Sequence, residues 1–350
     1  MDKKLEKAMS AERMISSAFA ERFMKGGIFS GLIDAVKADG EMAICFRGKD
    51  KYCNIYYRAN NVLRIVDKTG NNEFELIFDF NHARYTKEWE SIRKNLIKDF
   101  LIEIDVKPKK MKGYQNYQEK TATAKLKLRY DEQKEINWKG LLAIYKGLIN
   151  DFTDGNKNID YFKTPNKTVK NKNTHIEKND QQRILMANFN NPGFFIYDME
   201  YSQHRPYKDY VDSESHDMNG RFDMLGIRQD GDKQTLILIE VKSTVKACKD
   251  EENPNKKGSG VNKHRYDLER YLKSDLLIDV RKKDAVKIIG LYNELFGKKV
   301  IIREIAAAEY LFIFCGAAKK WYDANSEKLN LPQKAVKLIA DTSVNDDLML

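Results

Sequence analysis

Several features that mark familiar classes of protein are missing from this chain of 350 residues. Its cysteines are few and scattered, with no CxxC pair; they are Cys45, Cys53, Cys248 and Cys315. This pattern disfavours a disulfide framework and a zinc site, and it predicts reduced thiols in a cytoplasmic protein. The five histidines are also far apart, so their spacing does not predict metal ligation.

Long apolar runs and nucleotide-binding loops are lacking as well. The sequence has no run of about 18 apolar residues, which predicts that no segment spans a membrane. Its first residues, MDKKLEKAMSAERM, have no apolar core, so no signal peptide is expected. Neither internal repeats nor a Gly-rich phosphate loop is present, which leaves a cofactor-dependent small-molecule enzyme with little support.

What the chain does contain is enough apolar sequence for a substantial core. Hydrophobic residues make up 42% of it, and its length allows two domains or one domain with a large extension. Basic residues number 62 against 52 acidic ones, a formal net charge of +10. This excess modestly favours a polyanionic partner, although the same balance also serves solubility.

Changes in composition predict three parts of the chain. Residues 1–153 read as an accessory domain that mixes helices with antiparallel strands, without a recognisable catalytic cluster. Residues 154–173 are polar and contain no acid from Lys163 onward, which indicates a linker or a basic loop. Residues 174–350 form the second domain, in which Tyr310–Cys315 is expected to be the last core strand and 317–350 to be helical.

One stretch of the second domain, residues 221–244, organises the functional interpretation. It reads RFDMLGIRQDGDKQTLILIEVKST and predicts two strands joined by a tight turn. A turn at Gly231-Asp232 sets Asp223 directly opposite Glu240, whereas a turn at Asp230-Gly231 sets it one diagonal step away. Both registers place Asp223, Glu240 and Lys242 on one face, with the two carboxylates about 5–8 Å apart at Cβ.

Charged residues at these positions are unusual, because the second strand is otherwise Leu-Ile-Leu-Ile and should be covered on both faces. Two half-buried carboxylates repel each other unless a cation lies between them. Mg²⁺ is typically held by one or two carboxylates, with water and phosphate oxygens completing its shell. A neighbouring lysine can orient a metal-bound water and offset the charge of a phosphate. This combination predicts phosphodiester hydrolysis.

The pattern of Asp223, sixteen intervening residues and then Glu240-Val241-Lys242 at the end of an apolar strand resembles the PD-(D/E)xK nuclease superfamily. Phe222 stands where the proline of that name would be. The resemblance covers about residues 174–316. It implies a restriction-endonuclease-like mixed sheet flanked by helices, with Mg²⁺ (or Mn²⁺) held by Asp223, Glu240 and the carbonyl of Val241, and with Lys242 positioning the water.

The resemblance also suggests residues outside the hairpin. Members often carry a glutamate on the first helix that approaches the metal, and Glu177 occupies that place in a helix predicted for Glu177–Phe189. A first-turn glutamate favoured by the helix dipole is the alternative explanation. Asp198 and Glu200 on the next strand could substitute for it. Asp267 and Tyr271 lie where some branches place Gln and Tyr near the site, but aspartate replaces the glutamine here.

Two basic clusters are candidates for nucleic-acid contact, against the alternative of ordinary solvated loops. They contribute Lys109, Lys110, Lys112, Lys167 and Lys170.

The sequence as a whole therefore predicts an α/β protein that is a Mg²⁺-dependent nuclease, with DNA favoured over RNA because most of the family cuts DNA. By family analogy the setting would be restriction-like defence or DNA processing. The rival hypothesis is an inactive module of the same fold that binds nucleic acid or a protein. The oligomeric state stays open at this point, a homodimer included.

Overall fold

The computed structural model describes residues 15–47, 52–58, 60–67, 73–79, 94, 104–109, 118–129, 136–154, 163–164, 167–168, 176–202, 221–249, 260–329, 331–343 and 346–350. These residues fall into two compact units, with the division between Thr174 and His175. Both units mix helices and strands, so the predicted α/β class is confirmed.

The N-terminal unit is built on an antiparallel sheet of six described strands in the order β1-β2-β3-β4-β6-β5. The bounds are α1 Ser17–Glu21, α2 Ser30–Asp39, β1 Ala43–Arg47, β2 Tyr52–Tyr57, β3 Asn60–Asp67, β4 Glu73–Asp79, β5 Ile104–Lys109, β6 Gln118–Arg129, α3 Trp138–Asp154, β7 Lys163–Thr164 and β8 Lys167–Thr168. The two-residue strands β7 and β8 pair with each other. They lie inside the stretch that the sequence predicts as a linker or basic loop.

Aromatic side chains fill the core of this unit. Phe29 lies 5.1 Å from Phe23, 5.0 Å from Phe74 and 6.2 Å from Trp138 between ring centroids. These residues come from the helical segments and from β4, so the contacts join the helices to the sheet. The pairs of Phe29 with Phe74 and Trp138 are edge-on, and such pairs add to the free energy that burial of the rings contributes.

The C-terminal unit is built on a mixed sheet of five described strands in the order β13-β12-β11-β10-β9. Its elements are α4 Ile176–Asn188, β9 Phe194–Ser202, β10 Arg221–Asp230, β11 Lys233–Lys242, α5 Val245–Cys248, α6 Val261–Leu272, α7 Asp275–Phe296, β12 Ile305–Cys315, α8 Ala317–Asp323, α9 Ser326–Leu329 and β13 Val336–Ile339, with 3₁₀ turns at Gln333–Ala335 and Asp346–Leu348. Strands β9, β10 and β11 are antiparallel, whereas β12 and β13 run parallel to β11.

The hairpin of β10 and β11 has the first of the two predicted registers. Asp230 pairs with Lys233, so Gly231 and Asp232 form the turn. Gly231 has φ +60°, a left-handed conformation that glycine adopts without strain, and two-residue hairpin turns need such a residue. Strand β11 lies between β10 and β12, and every residue after Lys233 is buried. The prediction of a covered central strand is therefore confirmed.

Two predictions for the C-terminal end are wrong. Tyr310–Cys315 is not the last core strand, because β13 pairs with it from Phe312 to Cys315. The region 317–350 is not uniformly helical, since its helices end at Leu329 and the chain then forms β13. Parallel pairing with the edge of β12 satisfies the backbone of this short segment, and a local pattern cannot reveal such a partner.

Lys109, a member of the first basic cluster, does not lie in the solvated loop that is the alternative explanation for that cluster. Strand β5 extends to Lys109, so the cluster starts within a strand that pairs with β6. Strand β6 was not predicted, although its sequence TATAKLKL alternates between small or apolar and polar residues in the manner of a strand. In residues 86–99 the apolar side chains recur at helical spacing, which predicts a helix, and apart from Lys94 this stretch lies outside the described residues. Within the described part of the chain, no helix combines the length and apolar character needed to cross a membrane.

Candidate active site

The hairpin brings the two predicted acids together at the end of the sheet. Met224 pairs with Ile239, and continuing this register by one residue sets Asp223 opposite Glu240. The Asp223 side chain turns toward β11, where its Oδ2 accepts a hydrogen bond of 2.7 Å from the backbone N–H of Val241. Val241 is therefore tied to the cluster through its N–H, while the role predicted for its carbonyl stays a prediction.

Glu240 is held by two cationic or potentially cationic side chains. Nζ of Lys242 donates a 2.5 Å hydrogen bond to Oε1 of Glu240, and Nδ1 of His264 pairs with the same oxygen. Glu240 and Lys242 are only 3% and 2% exposed. Their neighbours on β12 are Phe312 and Phe314, both fully buried, so the ion pair lies in apolar surroundings.

Glu177 reaches the same cluster from the first turn of α4. Its carboxylate is close enough to interact electrostatically with Lys242 and Glu240, and it accepts a hydrogen bond from the backbone of Ser243. Its Oε2 is buried and has no hydrogen-bond partner. The structure thus places the predicted first-helix glutamate beside the hairpin, and helix-dipole stabilisation alone does not explain why it is buried there.

Charge and burial perturb all four ionisable groups. Burial, and then repulsion from Glu240, raises the pKa of Asp223 well above its usual range. Burial also raises the pKa of Glu177, more than the attraction of Lys242 lowers it. Burial alone would raise the pKa of Glu240, but Lys242 and His264 lower it to about 2. Burial favours the neutral form of Lys242 and would by itself lower its pKa. The attraction of Glu240, Asp223 and Glu177 is larger in sum, so the pKa of Lys242 is raised.

The donor set fits a hard divalent cation. Three carboxylates interact with one another at close range, and such ions take oxygen ligands. The unpartnered Oε2 of Glu177 is a buried acceptor without a donor, which a cation would satisfy. In their present positions, however, no three His, Cys, Asp or Glu side chains of the described residues form a group that could hold a metal ion. Lys242 and His264 both contact Oε1 of Glu240, so in these positions that oxygen already has cationic or potentially cationic partners.

The other residues that the sequence suggested for the site make contacts with residues outside the cluster. Asp198 is buried and accepts a hydrogen bond from the N–H of Met199, whereas Glu200 pairs with Lys178 of α4. Asp267 forms an ion pair with Lys263, at 2.8 Å. Tyr271 is fully buried and packs edge-on against Phe222, with 4.7 Å between ring centroids, so it belongs to the core.

The predicted nucleic-acid-binding lysines are only partly covered by the structure. Lys109 ends β5 and Lys167 begins β8. Lys110, Lys112 and Lys170 lie outside the described residues.

His264 is the member of the cluster that sequence reasoning missed. It lies in the first turn of α6, 24 positions beyond Glu240. Histidine spacing gives no indication of this contact, because the partner of His264 is an acid and not another histidine. The available signal was its position near the start of the helix that follows Glu240-Val241-Lys242 in the sequence.

In comparisons with known proteins, no protein-family model matches this chain, and no curated protein and no solved structure matches it.

Proposed function

We propose that this chain is a metal-dependent nuclease that hydrolyses DNA phosphodiester bonds. One observation carries the proposal: Asp223, Glu240, Lys242 and Glu177, separated in sequence, meet at one end of the five-stranded sheet. A group of buried and half-buried acids with a buried lysine costs folding free energy, so stability alone does not account for the cluster. We further infer a restriction-endonuclease-like fold for this unit, since its mixed sheet is flanked by helices.

Asp223, Glu240 and Glu177 are the residues that would hold Mg²⁺, or Mn²⁺ in its place. Such an ion supplies Lewis acidity and an activated water for hydrolysis of a phosphodiester. The hydrogen bond from the N–H of Val241 fixes the orientation of the Asp223 carboxylate. It thereby also fixes the position of the second carboxylate oxygen. Glu177 would contribute its unpartnered Oε2 from α4, which precedes the hairpin in the sequence.

Lys242 has the role of a fixed positive charge. Because its acidic neighbours raise its pKa, it keeps its proton at neutral pH and does not serve as a general base. A buried ammonium beside the carboxylates can offset negative charge that develops on a phosphate and can orient a water by donating to it. Its contact with Glu240 fixes where that charge lies.

A second candidate function is an inactive module of the same fold that binds nucleic acid or a protein partner. The observation that favours it is the pairing of both Lys242 and His264 with Glu240, which neutralises this carboxylate without a metal. Calorimetric titration with Mg²⁺ and Mn²⁺ distinguishes the two candidates. A site that saturates in wild type and is lost in Glu240→Ala supports the nuclease, and the lack of any heat of binding supports the module.

The direct test is cleavage of plasmid, linear duplex, single-stranded DNA and RNA, with Mn²⁺ and with a chelator. We expect wild type to cut DNA only with the metal. Lys242→Ala should keep metal binding while the rate falls by about 10²-fold, as when one preorganised electrostatic group is removed. Asp223→Ala should lose metal affinity and cleavage together.

Lys233→Ala is the matched control, because Lys233 starts the same strand but is exposed and far along it from the cluster. Circular dichroism should show that each variant is folded. Cleavage at the same rate by wild type, Lys242→Ala and Asp223→Ala would overturn the proposed site.

A further inference from the structure

Oε1 of Glu240 is enclosed by the protein, and only one of its two described side-chain contacts reaches solvent. Glu240 is 3% exposed, whereas Asp223 and Glu177 are half-buried. The Lys242 side chain that donates to Oε1 is 2% exposed, and the His264 side chain that contacts the same oxygen is 28% exposed. The imidazole of His264 is therefore the contact through which Glu240 borders the surface.

A single hydrogen bond holds this imidazole in place. Burial opposes the charge of Glu240, but Lys242 and His264 lower its pKa to about 2, so at neutral pH the carboxylate is ionised and only accepts hydrogen bonds. Nδ1 of His264 must then carry a proton, a condition that one neutral tautomer and the charged ring both meet. Among the residues that the structure describes, the imidazole forms no other hydrogen bond or ion pair. Loss of this one contact would release the ring.

The charges near His264 are those of the candidate site and of its own helix. Glu177 and Asp267 both interact electrostatically with it. Asp267 is balanced by Lys263, at 2.8 Å, whereas Oε2 of Glu177 has no hydrogen-bond partner. The acid that lacks a partner beside the imidazole is therefore Glu177, a proposed metal ligand.

We propose that His264 competes with the divalent ion for Glu240, so that the ion binds Oε1 after the imidazole has left it. This inference rests on the proposed function and adds how metal binding is controlled. The present contact accounts for a cluster of acids that fits a cation, yet in which no three described His, Cys, Asp or Glu side chains form a metal-holding group. In the metal-free protein the imidazole takes the place of the ion at this buried oxygen.

Two observations select His264, rather than Lys242, as the group that leaves. The imidazole has an open side toward solvent, where water can replace the hydrogen bond that it loses, whereas the enclosed Lys242 would lose its partner inside the protein. Phe312, the neighbour of Glu240 on β12, is fully buried and closes that side of the carboxylate. The side of His264 is thus the way by which an ion reaches Glu240.

Calorimetric titration of the full chain with Mn²⁺ tests the proposal on two variants of the histidine. His264→Ala removes the competing donor and should tighten Mn²⁺ binding about fivefold or more, because apparent affinity rises with the fraction of molecules in which Oε1 is open. His264→Asn places an amide NH₂ near the position of Nδ1, so it keeps a donor for Oε1 and should bind Mn²⁺ within about twofold of wild type. The difference between the variants reports the hydrogen bond itself.

Asn262→Ala is the matched control, because Asn262 is exposed on the same first turn of α6, and it should bind Mn²⁺ like wild type. Circular dichroism should show that each variant is folded. A crystal structure of wild type with Mn²⁺ tests the proposal without any variant: the ion should contact Oε1, and the imidazole should have turned away from it.

Mn²⁺ binding by His264→Ala that is no tighter than that of wild type would overturn the proposal, as would an equal gain in both His264 variants. An imidazole that still contacts Oε1 in the Mn²⁺ complex would overturn it too. These outcomes leave the proposed metal site standing. A lack of Mn²⁺ binding by wild type and by both variants would instead overturn the metal site and this inference together.

Discussion

Asp223 and Glu240 face each other across the β10–β11 hairpin, yet their surroundings shift their pKa values in opposite directions. Glu240 has Lys242 and His264 at one oxygen, whereas at Asp223 burial and repulsion from Glu240 outweigh the attraction of Lys242 and a single backbone N–H. In the metal-free protein the charge of Glu240 therefore stabilises the fold, whereas the charge of Asp223 destabilises it. Position within one strand pair does not make two carboxylates equivalent.

This difference predicts opposite effects of neutralising the two acids. In a chelator at neutral pH, Asp223→Asn should raise the free energy of unfolding by about 1 kcal/mol, because it removes repulsion and keeps an acceptor for the Val241 N–H. Glu240→Gln should lower it by on the order of 3 kcal/mol, since it removes the charged carboxylate to which the buried Lys242 donates. Urea unfolding measures both values. Destabilisation of equal size by both variants would contradict the prediction.

The pH dependence of these effects gives a second readout of the same experiment. The folded pKa of Asp223 is raised, so its protonated form stabilises the fold at low pH and that stability is lost as pH rises. The gain in Asp223→Asn should thus disappear near pH 4. The folded pKa of Glu240 is lowered from 4.5 to about 2, so its contribution is present above pH 4.5 and is lost as pH falls toward 2. Asp230→Asn, at an exposed ion pair with Arg228, should change stability little.

Single residues of the site were predictable where the chain itself fixes their geometry. Glu240 and Lys242 are two apart on a strand, and strand alternation puts them on one side. His264 was not predictable in this way, because its contact with Glu240 depends on where α6 packs after an intervening segment. Glu177 became a candidate only through the resemblance, not through a pattern of its own.

Among the elements, α4 depends on one buried side chain at its end. Asn188 is fully buried; its Nδ2 donates to the carbonyls of Ile184, at 2.8 Å, and Leu348, at 2.7 Å. Its Oδ1 accepts from the N–H of Leu350 and from Nδ2 of Asn191, both at 3.0 Å. The amide thus joins the end of α4 to residues near the end of the chain.

Asn188→Ala should lower the free energy of unfolding by at least about 2 kcal/mol, because it leaves several buried groups without partners. Thermal and urea unfolding would measure the loss. Asn190→Ala, two residues on at an exposed position, is the control and should change stability by less than about 0.5 kcal/mol. Similar unfolding curves for both variants would show that the Asn188 contacts are not important to the fold.

Elements were predictable to the extent that their partners are close in sequence. The hairpin follows from alternation and from a glycine at the turn, and both are visible in the residues Arg221–Lys242. Strand β13 is four residues long and depends on the edge of β12, from which two helices separate it. A short apolar segment of this kind fits a helix or a strand equally well until its neighbour is known.

At the scale of the whole molecule, the chain divides between Thr174 and His175. The sequence predicts a linker or basic loop at 154–173 and a charged, Gly- and Pro-containing segment at 246–260. We expect limited proteolysis to cut first within these two stretches, because polar connecting segments, within a unit as well as between units, are preferred sites of cleavage. Mass spectrometry of the early fragments is the measurement. Early cuts elsewhere, with both stretches protected, would indicate one continuous domain.

The organisation of the molecule was more predictable than its topology. Composition indicated two domains with a linker or basic loop between them, because a polar stretch that contains no acid from Lys163 onward is visible without knowledge of any contact. The order of the six-stranded sheet, in which β6 lies between β4 and β5, could not be predicted from the sequence. Strand order depends on contacts between residues far apart in the chain, and neither charge nor periodicity encodes them.

The two-residue turn at Gly231-Asp232 has a consequence for the order in which the cluster can assemble. Only sixteen residues separate Asp223 from Glu240, so closing the hairpin costs little chain entropy and brings the acids together through local contacts. The apolar neighbours Phe312 and Phe314 arrive with β12, which joins β11 through a long crossover. The acidic pair can thus meet in water, where repulsion is weak, and the later docking of β12 imposes the electrostatic penalty.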